Sequence, residues 1–339
     1  MRRIYLLSLI LLLLGCFGTN RPPKVDEKIN GLSLVATRDS LRLENIESVL
    51  KVHASHVALM PFGFIRDVDQ PEIIFNRERQ WFGETVVGIE QHIEMLKLQS
   101  VEVMLKPQLW VGHGIFTGEI KMADESKWLE FENSYRHFIL TFAEIAEKHQ
   151  VPLLCIGTEL ESFVTERPQF WSELINEIRS IYKGKLTYAA NWDEYSRTPF
   201  WRMLDFVGID AYFPITDEQT PTVQQCMQSW KDLRSVLKTF AIDLNKPILF
   251  TEFGYRSVDY AGREPWKSDR DMPGLNHLAQ YNTLDALFTS MWNEEWFAGG
   301  FVWKWFPDHS RAGGEENSQF TPQNKPSEKL IGEYYAKFK

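Results

Sequence analysis

The amino-acid sequence predicts a single α/β domain with the architecture of a (β/α)8 barrel, the TIM-barrel fold. Short apolar segments alternate with longer helical patterns from residue 29 onwards, which is typical of a parallel sheet covered by helices. Eight apolar segments are found, the number of strands in this barrel. No linker, internal repeat or low-complexity tract interrupts residues 29–339, so we interpret them as one domain.

The eight predicted strands lack strict alternation of polar and apolar residues, which indicates burial on both faces of the sheet. They cover residues 31–37, 56–61, 102–109, 152–158, 185–190, 206–211, 247–251 and 299–303. Helical periodicity predicts helices over residues 85–99, 126–149, 167–182, 222–244 and 275–293. A doubly wound sheet is the alternative, but residues 112–118 miss the G-x-G-x-x-G spacing and open no helix.

The first 28 residues are interpreted as an export signal and a tether. Two arginines precede an apolar run at residues 4–14, which is too short for a stable membrane-spanning helix. The run leads into Leu-Leu-Gly-Cys, which resembles a bacterial lipoprotein signal with Cys16 as the lipidated first mature residue. We therefore expect residues 1–15 to be removed, residues 16–28 to form a polar tether, and Cys16 to anchor the protein to a membrane of the bacterial cell envelope. A plain secretory signal with an incidental cysteine is the alternative.

Composition and charge argue against several classes of function. The net charge of −9 comes without a basic patch, which argues against a nucleic-acid partner. The eight histidines show neither H-x-H nor H-E-x-x-H spacing, so we expect no catalytic metal and no cofactor. No G-x-S-x-G motif supports serine hydrolysis. We expect the protein to act as a monomer.

Polar and aromatic residues collect where the predicted strands end, which is where active sites of this fold lie. They are Lys106, Trp110, Glu159, Asn191, Trp192, Asp193, Asp210, Tyr212, Glu252, Trp303 and Trp305. Strand side chains alternate between faces, so residues 155, 157 and 159 are predicted to share one face of their strand, and residues 248, 250 and 252 likewise share one face of theirs. Both glutamates are therefore predicted to point into one mouth of the barrel.

Two carboxylates in an aromatic cleft suit glycoside hydrolysis. One protonated acid donates to the leaving oxygen, while one ionised carboxylate meets the developing positive charge on the sugar. Partial burial and mutual repulsion can hold the two groups in different protonation states. The structural alternative for each glutamate is a helix cap or an ion pair with an arginine. Because Glu159 and Glu252 end two strands of the same predicted barrel, we favour catalysis.

Six motifs together resemble glycoside hydrolase family 113, a clan A family of retaining enzymes whose characterised members are β-mannanases. They are GLSLVATR, RQWFGET, CIGTELE, FVGIDAYFP, TEFGYRS and GGFVWKW, and they extend over residues 31–305. The resemblance implies a (β/α)8 barrel that cleaves β-1,4-mannan or a related β-linked polysaccharide by double displacement.

The resemblance also implies roles for individual residues. Glu159 would be the acid/base and Glu252 the nucleophile, with Tyr212 hydrogen-bonding the nucleophile and Trp303 forming the floor of the subsite for the attacked sugar. Thr158 departs from the clan, in which an asparagine commonly precedes the acid and contacts the sugar 2-hydroxyl.

The remaining candidates are predicted to bind sugars. Four tryptophans offer flat faces for stacking against a pyranose chain: Trp110, Trp192, Trp303 and Trp305. Three polar residues are predicted to hydrogen-bond the sugar hydroxyls: Asn191, Asp193 and Lys106. Such a row of aromatic rings suits an open cleft in which a neutral polysaccharide is cleaved at internal bonds. For Trp81, a sugar subsite and loop packing are equally compatible with the sequence. Six other tryptophans fall in helical patterns and are predicted to be buried: Trp128, Trp171, Trp201, Trp230, Trp292 and Trp296.

Several alternatives stay open at this point. Glu161 follows Glu159 by two positions and is a second candidate for the acid, although a helix start is favoured there. A barrel of this kind can also serve as a non-catalytic glycan-binding lipoprotein or as a β-glycosidase of different sugar specificity. A metal-dependent deacetylase is a third alternative, which the missing ligand cluster disfavours.

Overall fold

The computed structural model describes residues 22–268 and 274–339, which form a closed barrel of eight parallel strands surrounded by helices. The predicted (β/α)8 fold is thereby confirmed. The predicted signal segment and Cys16 lie outside the described residues. None of the helices in the described ranges combines the length and the apolar character that crossing a membrane requires.

Ten strands occur in the described ranges, and eight of them close the barrel. The strands are β1 (Ile29–Leu34), β2 (His56–Leu59), β3 (Phe62–Ile65), β4 (Glu102–Leu105), β5 (Gln108–Val111), β6 (Leu153–Thr158), β7 (Lys185–Asn191), β8 (Val207–Asp210), β9 (Ile248–Phe253) and β10 (Phe297–Trp305). Around the barrel the order is β1, β10, β9, β8, β7, β6, β4 and β2. All neighbours pair in parallel, so every carboxyl end opens at the same mouth.

Prolines set the ends of the barrel strands observed in the second and third predicted segments. Pro61 and Pro107 cannot donate a backbone hydrogen bond to a ladder, and the barrel strands β2 and β4 end just before them. Beyond the prolines, β3 and β5 pair as a separate two-stranded parallel sheet, with Phe62 opposite Gln108. The single strand predicted over residues 102–109 was therefore wrong, because its last two residues, Gln108 and Leu109, belong to this extra sheet.

Eight α-helices lie outside the barrel in the described ranges. They are α1 (Leu43–Lys51), α2 (Val86–Leu98), α3 (Glu125–Lys148), α4 (Glu161–Glu166), α5 (Pro168–Ile181), α6 (Val223–Leu244), α7 (His277–Met291) and α8 (Pro326–Lys337). Helix starts follow the expected capping chemistry: the Thr85 hydroxyl accepts from the backbone of Gly88 at the start of α2, and Thr222 forms a capping box with Gln225 at the start of α6.

The core has two parts, one between barrel and helices and one inside the barrel. All six tryptophans predicted to be buried are at most 5% exposed and belong to the outer part, which confirms that prediction. The inner part is a smaller apolar cluster built from alternate strand residues, among them Met104, Cys155 and Leu249. Because this cluster fills the barrel, polar side chains nearer the carboxyl ends line a mouth rather than a pore.

Candidate active site

Both predicted catalytic glutamates face the mouth of the barrel, one after β6 and one in β9. Burial raises the pKa of Glu159 well above its usual value, and the negative charges of Asp210 and Glu252 raise it further. The charge of Glu252 acts on the Glu159 carboxyl only over a short distance, so the two carboxyls belong to a single site.

The two glutamates reach this mouth because their strands are irregular. From Cys155 to Thr158, β6 advances by three residues while the paired segment of β7 advances by two. β9 likewise contains one more residue than the paired segment of β8 just before Glu252. Such bulges redirect the side chains that follow them. The simple alternation predicted for β9 was wrong, because Phe250 packs outward against Trp230 while Glu252 faces the mouth.

Three donors hold the Glu252 carboxylate, which is only 6% exposed. Lys106 Nζ donates to Oε1 at 2.5 Å and Gln108 Nε2 donates to the same oxygen at 3.0 Å. The Tyr212 hydroxyl donates to Oε2 at 2.9 Å, which agrees with the contact that the family resemblance implies for this tyrosine. These donors stabilise the anionic form and fix the direction of the carboxylate.

Lys106 joins Glu252 to a second buried carboxylate. Its ammonium lies 3.1 Å from Asp210 Oδ1, which also accepts from the Thr251 hydroxyl at 2.7 Å. Burial alone would lower the pKa of Lys106, but the charges of Asp210 and Glu252 outweigh it and raise that pKa above its usual value. Lys106 is fully buried. The prediction that Lys106 hydrogen-bonds substrate hydroxyls is therefore corrected, because its N–H donors are directed at two carboxylates.

The environment of the Glu159 carboxyl is the opposite of that of Glu252. It is half-buried, and in the described ranges no side chain or backbone group hydrogen-bonds its carboxyl. Its backbone is fixed instead: φ is 51°, the N–H donates to Ala189 O at 2.8 Å, and the carbonyl accepts from the Thr117 hydroxyl at 3.0 Å. A left-handed conformation is unfavourable for glutamate and is the kind of strain that collects at active sites. The raised pKa keeps this carboxyl protonated at a pH where ordinary glutamate is ionised.

A buried chain of hydrogen bonds that the sequence did not predict fixes the segment after Glu159. The Tyr188 hydroxyl accepts from Leu160 N at 2.7 Å and donates to Glu194 Oε1 at 2.8 Å. Glu194 Oε2 accepts from Asn191 N at 3.0 Å, and burial raises the pKa of Glu194 to about 7. Gln108 was also missed. The signal available for Glu194 was its place just beyond a strand end, the same signal that identified Glu159.

The predicted sugar-binding aromatics divide into exposed and buried residues. Trp110 is 52% exposed on β5, and Trp81 is 42% exposed with the Arg38 guanidinium 5.0 Å from its ring. Trp303 is half-buried at the end of β10. Trp192 is half-buried and stacks on Trp266 with ring centroids 5.1 Å apart. These rings offer flat faces at the carboxyl-terminal end of the barrel.

Trp305 does not line the mouth, which corrects its prediction as a sugar-binding residue. It is completely buried, and its indole N–H donates to Ser48 Oγ of α1 at 3.0 Å. The reason is an extra residue in β10 between Val302 and Trp305 relative to β1, which breaks the alternation with Trp303.

Other predicted polar residues take local roles. The Asn191 side chain accepts from the backbone of Trp192 at 2.9 Å. Asp193 is exposed, and its carbonyl accepts from Arg197 at 2.7 Å. Glu161 is the first residue of α4 and forms an ion pair with Arg197, as expected for a helix start. The Glu161 carboxylate is therefore paired, whereas the Glu159 carboxyl has no hydrogen-bond partner in the described ranges.

Comparison with known proteins was made on sequence and on structure. The model of Glycoside Hydrolase Family 113 matches residues 36–325. None of the curated proteins matches the chain. Among solved structures, the GH113 β-mannanase AaManA from Alicyclobacillus acidocaldarius superposes with a TM-score of 0.79 at 23% identity, covering 92% of this chain and 98% of that one.

Two further structures show how far the similarity extends. A GH113 β-1,4-mannanase has a TM-score of 0.78 at 22% identity, covering 91% of this chain and 99% of that one. A β-glucuronidase from Faecalibacterium prausnitzii has a TM-score of 0.60 at 15% identity, covering 94% of this chain and 51% of that one. At these identities the superpositions establish the barrel fold, whereas the family model covers most of the chain. The protein therefore belongs to glycoside hydrolase family 113.

Proposed function

We propose that the protein is a retaining β-mannanase that cleaves β-1,4-linked mannan within the chain, with Glu159 as the acid/base and Glu252 as the nucleophile. The observation that carries the proposal is the unequal environment of the two glutamates at one mouth. Glu252 is held by a cation and two neutral donors, whereas burial and like charge raise the pKa of Glu159. A retaining glycosidase needs this division between an ionised and a protonated carboxyl.

The proposed reaction has two steps. Glu252 attacks the anomeric carbon and forms a covalent glycosyl ester, while Glu159 gives its proton to the departing glycosidic oxygen. Glu159, now ionised, then removes a proton from water, which attacks the same carbon and releases Glu252. Because Glu159 must start protonated, we expect kcat/KM to fall as the pH rises through its raised pKa.

Mannan as the substrate is supported by the family, by the net charge and by exposed aromatic rings. Solved GH113 structures superposing on this chain are named β-mannanases. The net charge of −9 makes a polyanionic glycan a poor partner. Exposed rings such as Trp110 and Trp81 suit stacking against pyranose units of a neutral chain.

A substrate screen tests the proposed activity. The purified protein is incubated with mannan, glucomannan, xylan, cellulose and aryl glycosides, and the products are separated by size. We expect short manno-oligosaccharides from mannan and glucomannan. Monosaccharide released only from chain ends would contradict internal cleavage, and a preference for xylan or cellulose would contradict the sugar assignment. Tight binding of mannan without products would favour the non-catalytic glycan-binding protein.

For localisation, we propose a lipid anchor at Cys16 that holds the enzyme in the bacterial cell envelope. The support is the apolar run at residues 4–14 that leads into Leu-Leu-Gly-Cys. Several acyl chains hold firmly, since each buried methylene contributes ~0.8 kcal/mol whereas a single chain is marginal. We expect Cys16→Ser to move the protein from the membrane fraction to the soluble fraction. Thr19→Ser is the control, and a Cys16→Ser protein that still sedimented with membranes would contradict the anchor.

A further inference from the structure

The strained backbone of Glu159 is held at both of the peptide groups that flank it. The N–H of Glu159 donates to Ala189 O of β7 at 2.8 Å. In the next peptide, the carbonyl of Glu159 accepts from the Thr117 hydroxyl at 3.0 Å. The N–H of that same peptide belongs to Leu160 and donates to the Tyr188 hydroxyl at 2.7 Å. Because a φ of 51° is unfavourable for glutamate, the direction of its side chain depends on these three contacts.

The Tyr188 ring is packed too tightly to follow a movement of this peptide. It is completely buried on β7. Three aromatic rings surround it with centroids 5.6, 5.5 and 6.0 Å away, those of Trp171, Phe200 and Trp201. On the side of β6, a Cβ added at Gly157 would lie 3.0 Å from Tyr188 Cε2, so the ring lies directly against the backbone. The Tyr188 hydroxyl therefore has a fixed position relative to the peptide that follows Glu159.

Glu194 completes the chain of hydrogen bonds and is only 1% exposed. The Tyr188 hydroxyl, which accepts from Leu160, donates its own proton to Glu194 Oε1 at 2.8 Å. The backbone N–H of Asn191 donates to Oε2 at 3.0 Å. An ionised carboxylate accepts both bonds, whereas a glutamine in its place has a single acceptor oxygen and can keep only one of them.

The charge of Glu194 also favours the protonated form of the acid. Burial raises the pKa of Glu159 most, and the charges of Asp210 and Glu252 raise it further. The charge of Glu194 acts in the same direction, while that of Lys106 opposes these shifts. Glu194 therefore contributes both to the geometry of Glu159 and to the retention of its proton.

We propose that Tyr188 and Glu194 are positioning residues for the acid/base. Their chain of hydrogen bonds holds the peptide after Glu159, and with it the direction in which the Glu159 carboxyl meets the departing glycosidic oxygen. Both residues are buried and act through Glu159 rather than on the sugar. The inference rests on the proposed mannanase activity and adds two residues to the groups that bring about protonation of the leaving group.

Two aryl β-mannobiosides that differ only in the leaving group test this role. A dinitrophenolate departs without a proton, whereas a phenolate needs one from Glu159. In Tyr188→Phe and in Glu194→Gln, we expect kcat/KM for the phenyl glycoside to fall about 10- to 100-fold, because a small misplacement of a reacting group has an effect of that size. We expect kcat/KM for the dinitrophenyl glycoside to stay within about threefold of wild type.

Tyr135→Phe is the matched control. Tyr135 is also buried, and its hydroxyl donates at 2.7 Å to Ile156 O, on the same strand as Glu159 but three residues earlier. Its replacement removes a comparable buried hydrogen bond, so we expect the melting temperature to fall about as much as in Tyr188→Phe. The ratio of the two kcat/KM values is expected to remain that of wild type.

Losses in Tyr188→Phe and Glu194→Gln that are equal for the two leaving groups, or no loss with the phenyl glycoside, would overturn the positioning role. The two variants break the chain at different links, so one decides if the other fails to fold. Wild-type protein that cleaves neither glycoside would instead overturn the proposed activity. In that case hydrogen exchange of the Leu160 amide still decides: faster exchange in Glu194→Gln than in Tyr135→Phe supports the chain, and equal exchange rejects it.

Discussion

Replacing Glu159 or Glu252 by glutamine is expected to reduce turnover of mannan about 10^3- to 10^6-fold without loss of the fold. Glu252→Gln removes the attacking carboxylate, so it is expected to lose activity on every substrate. Glu159→Gln removes only the proton donor. An aryl mannoside with a good leaving group needs no such proton in the first step, so Glu159→Gln is expected to keep a measurable burst of released aryl alcohol.

Glu161→Gln is the matched control for this pair. Glu161 lies two residues after Glu159 but begins α4 and pairs with Arg197. An exposed ion pair of this kind contributes ~0–1 kcal/mol to stability, so we expect the variant to keep activity within about twofold of wild type. Steady-state rates and thermal melting curves of the three variants decide the assignment. A folded Glu161→Gln protein as inactive as Glu159→Gln would identify Glu161 as the acid instead.

Lys106→Met is expected to lower the free energy of unfolding by about 3–5 kcal/mol, the loss typical when one partner of a buried ion pair is removed. The methionine matches the lysine stem in length but leaves the carboxylates of Asp210 and Glu252 buried together without their cation. Urea unfolding of wild type and variant measures the difference. A second change, Asp210→Asn, removes one of the two stranded charges and is expected to restore part of the loss.

The stability deficit of Lys106→Met is also expected to depend on pH. Burial and the charge of Glu252 already raise the pKa of Asp210 in the wild-type protein, in which Lys106 opposes the shift. Without Lys106 the folded state binds protons at a higher pH than the unfolded chain does, so stability falls as the pH rises. The deficit of Lys106→Met is therefore expected to shrink towards acidic pH. A variant as stable as wild type at neutral pH would contradict the role of Lys106 as the counter-ion of the site.

The sequence predicted the barrel and the strand ends because both depend on local patterns. Short apolar segments mark buried parallel strands, and all eight predicted barrel strands overlap observed ones. The glutamates were recognised because a carboxylate directly after a buried strand requires a partner, water or a function. The prolines at positions 61 and 107 were visible in the sequence, but their effect on the strands that contain them was overlooked.

The rest of the site depends on contacts between distant segments, which no local pattern shows. Gln108 contacts Glu252 across 144 positions of sequence, and Lys106 does so across 146. The bulges before Glu252 and before Trp305 depend on the register with neighbouring strands. One extra residue in a strand turns every later side chain to the opposite face. Simple alternation therefore put Glu252 on the same face as Phe250, and it put Trp305 at the mouth of the barrel; both placements were wrong.

The stereochemistry of the first product tests the roles of Glu159 and Glu252 most directly. Proton NMR spectra are recorded during the first minutes of manno-oligosaccharide hydrolysis, before the anomers equilibrate in water. Two displacements at one carbon, through an ester with Glu252, predict that the newly formed reducing end appears first as the β-anomer. First appearance of the α-anomer would mean a single displacement by water, and would contradict Glu252 as a nucleophile.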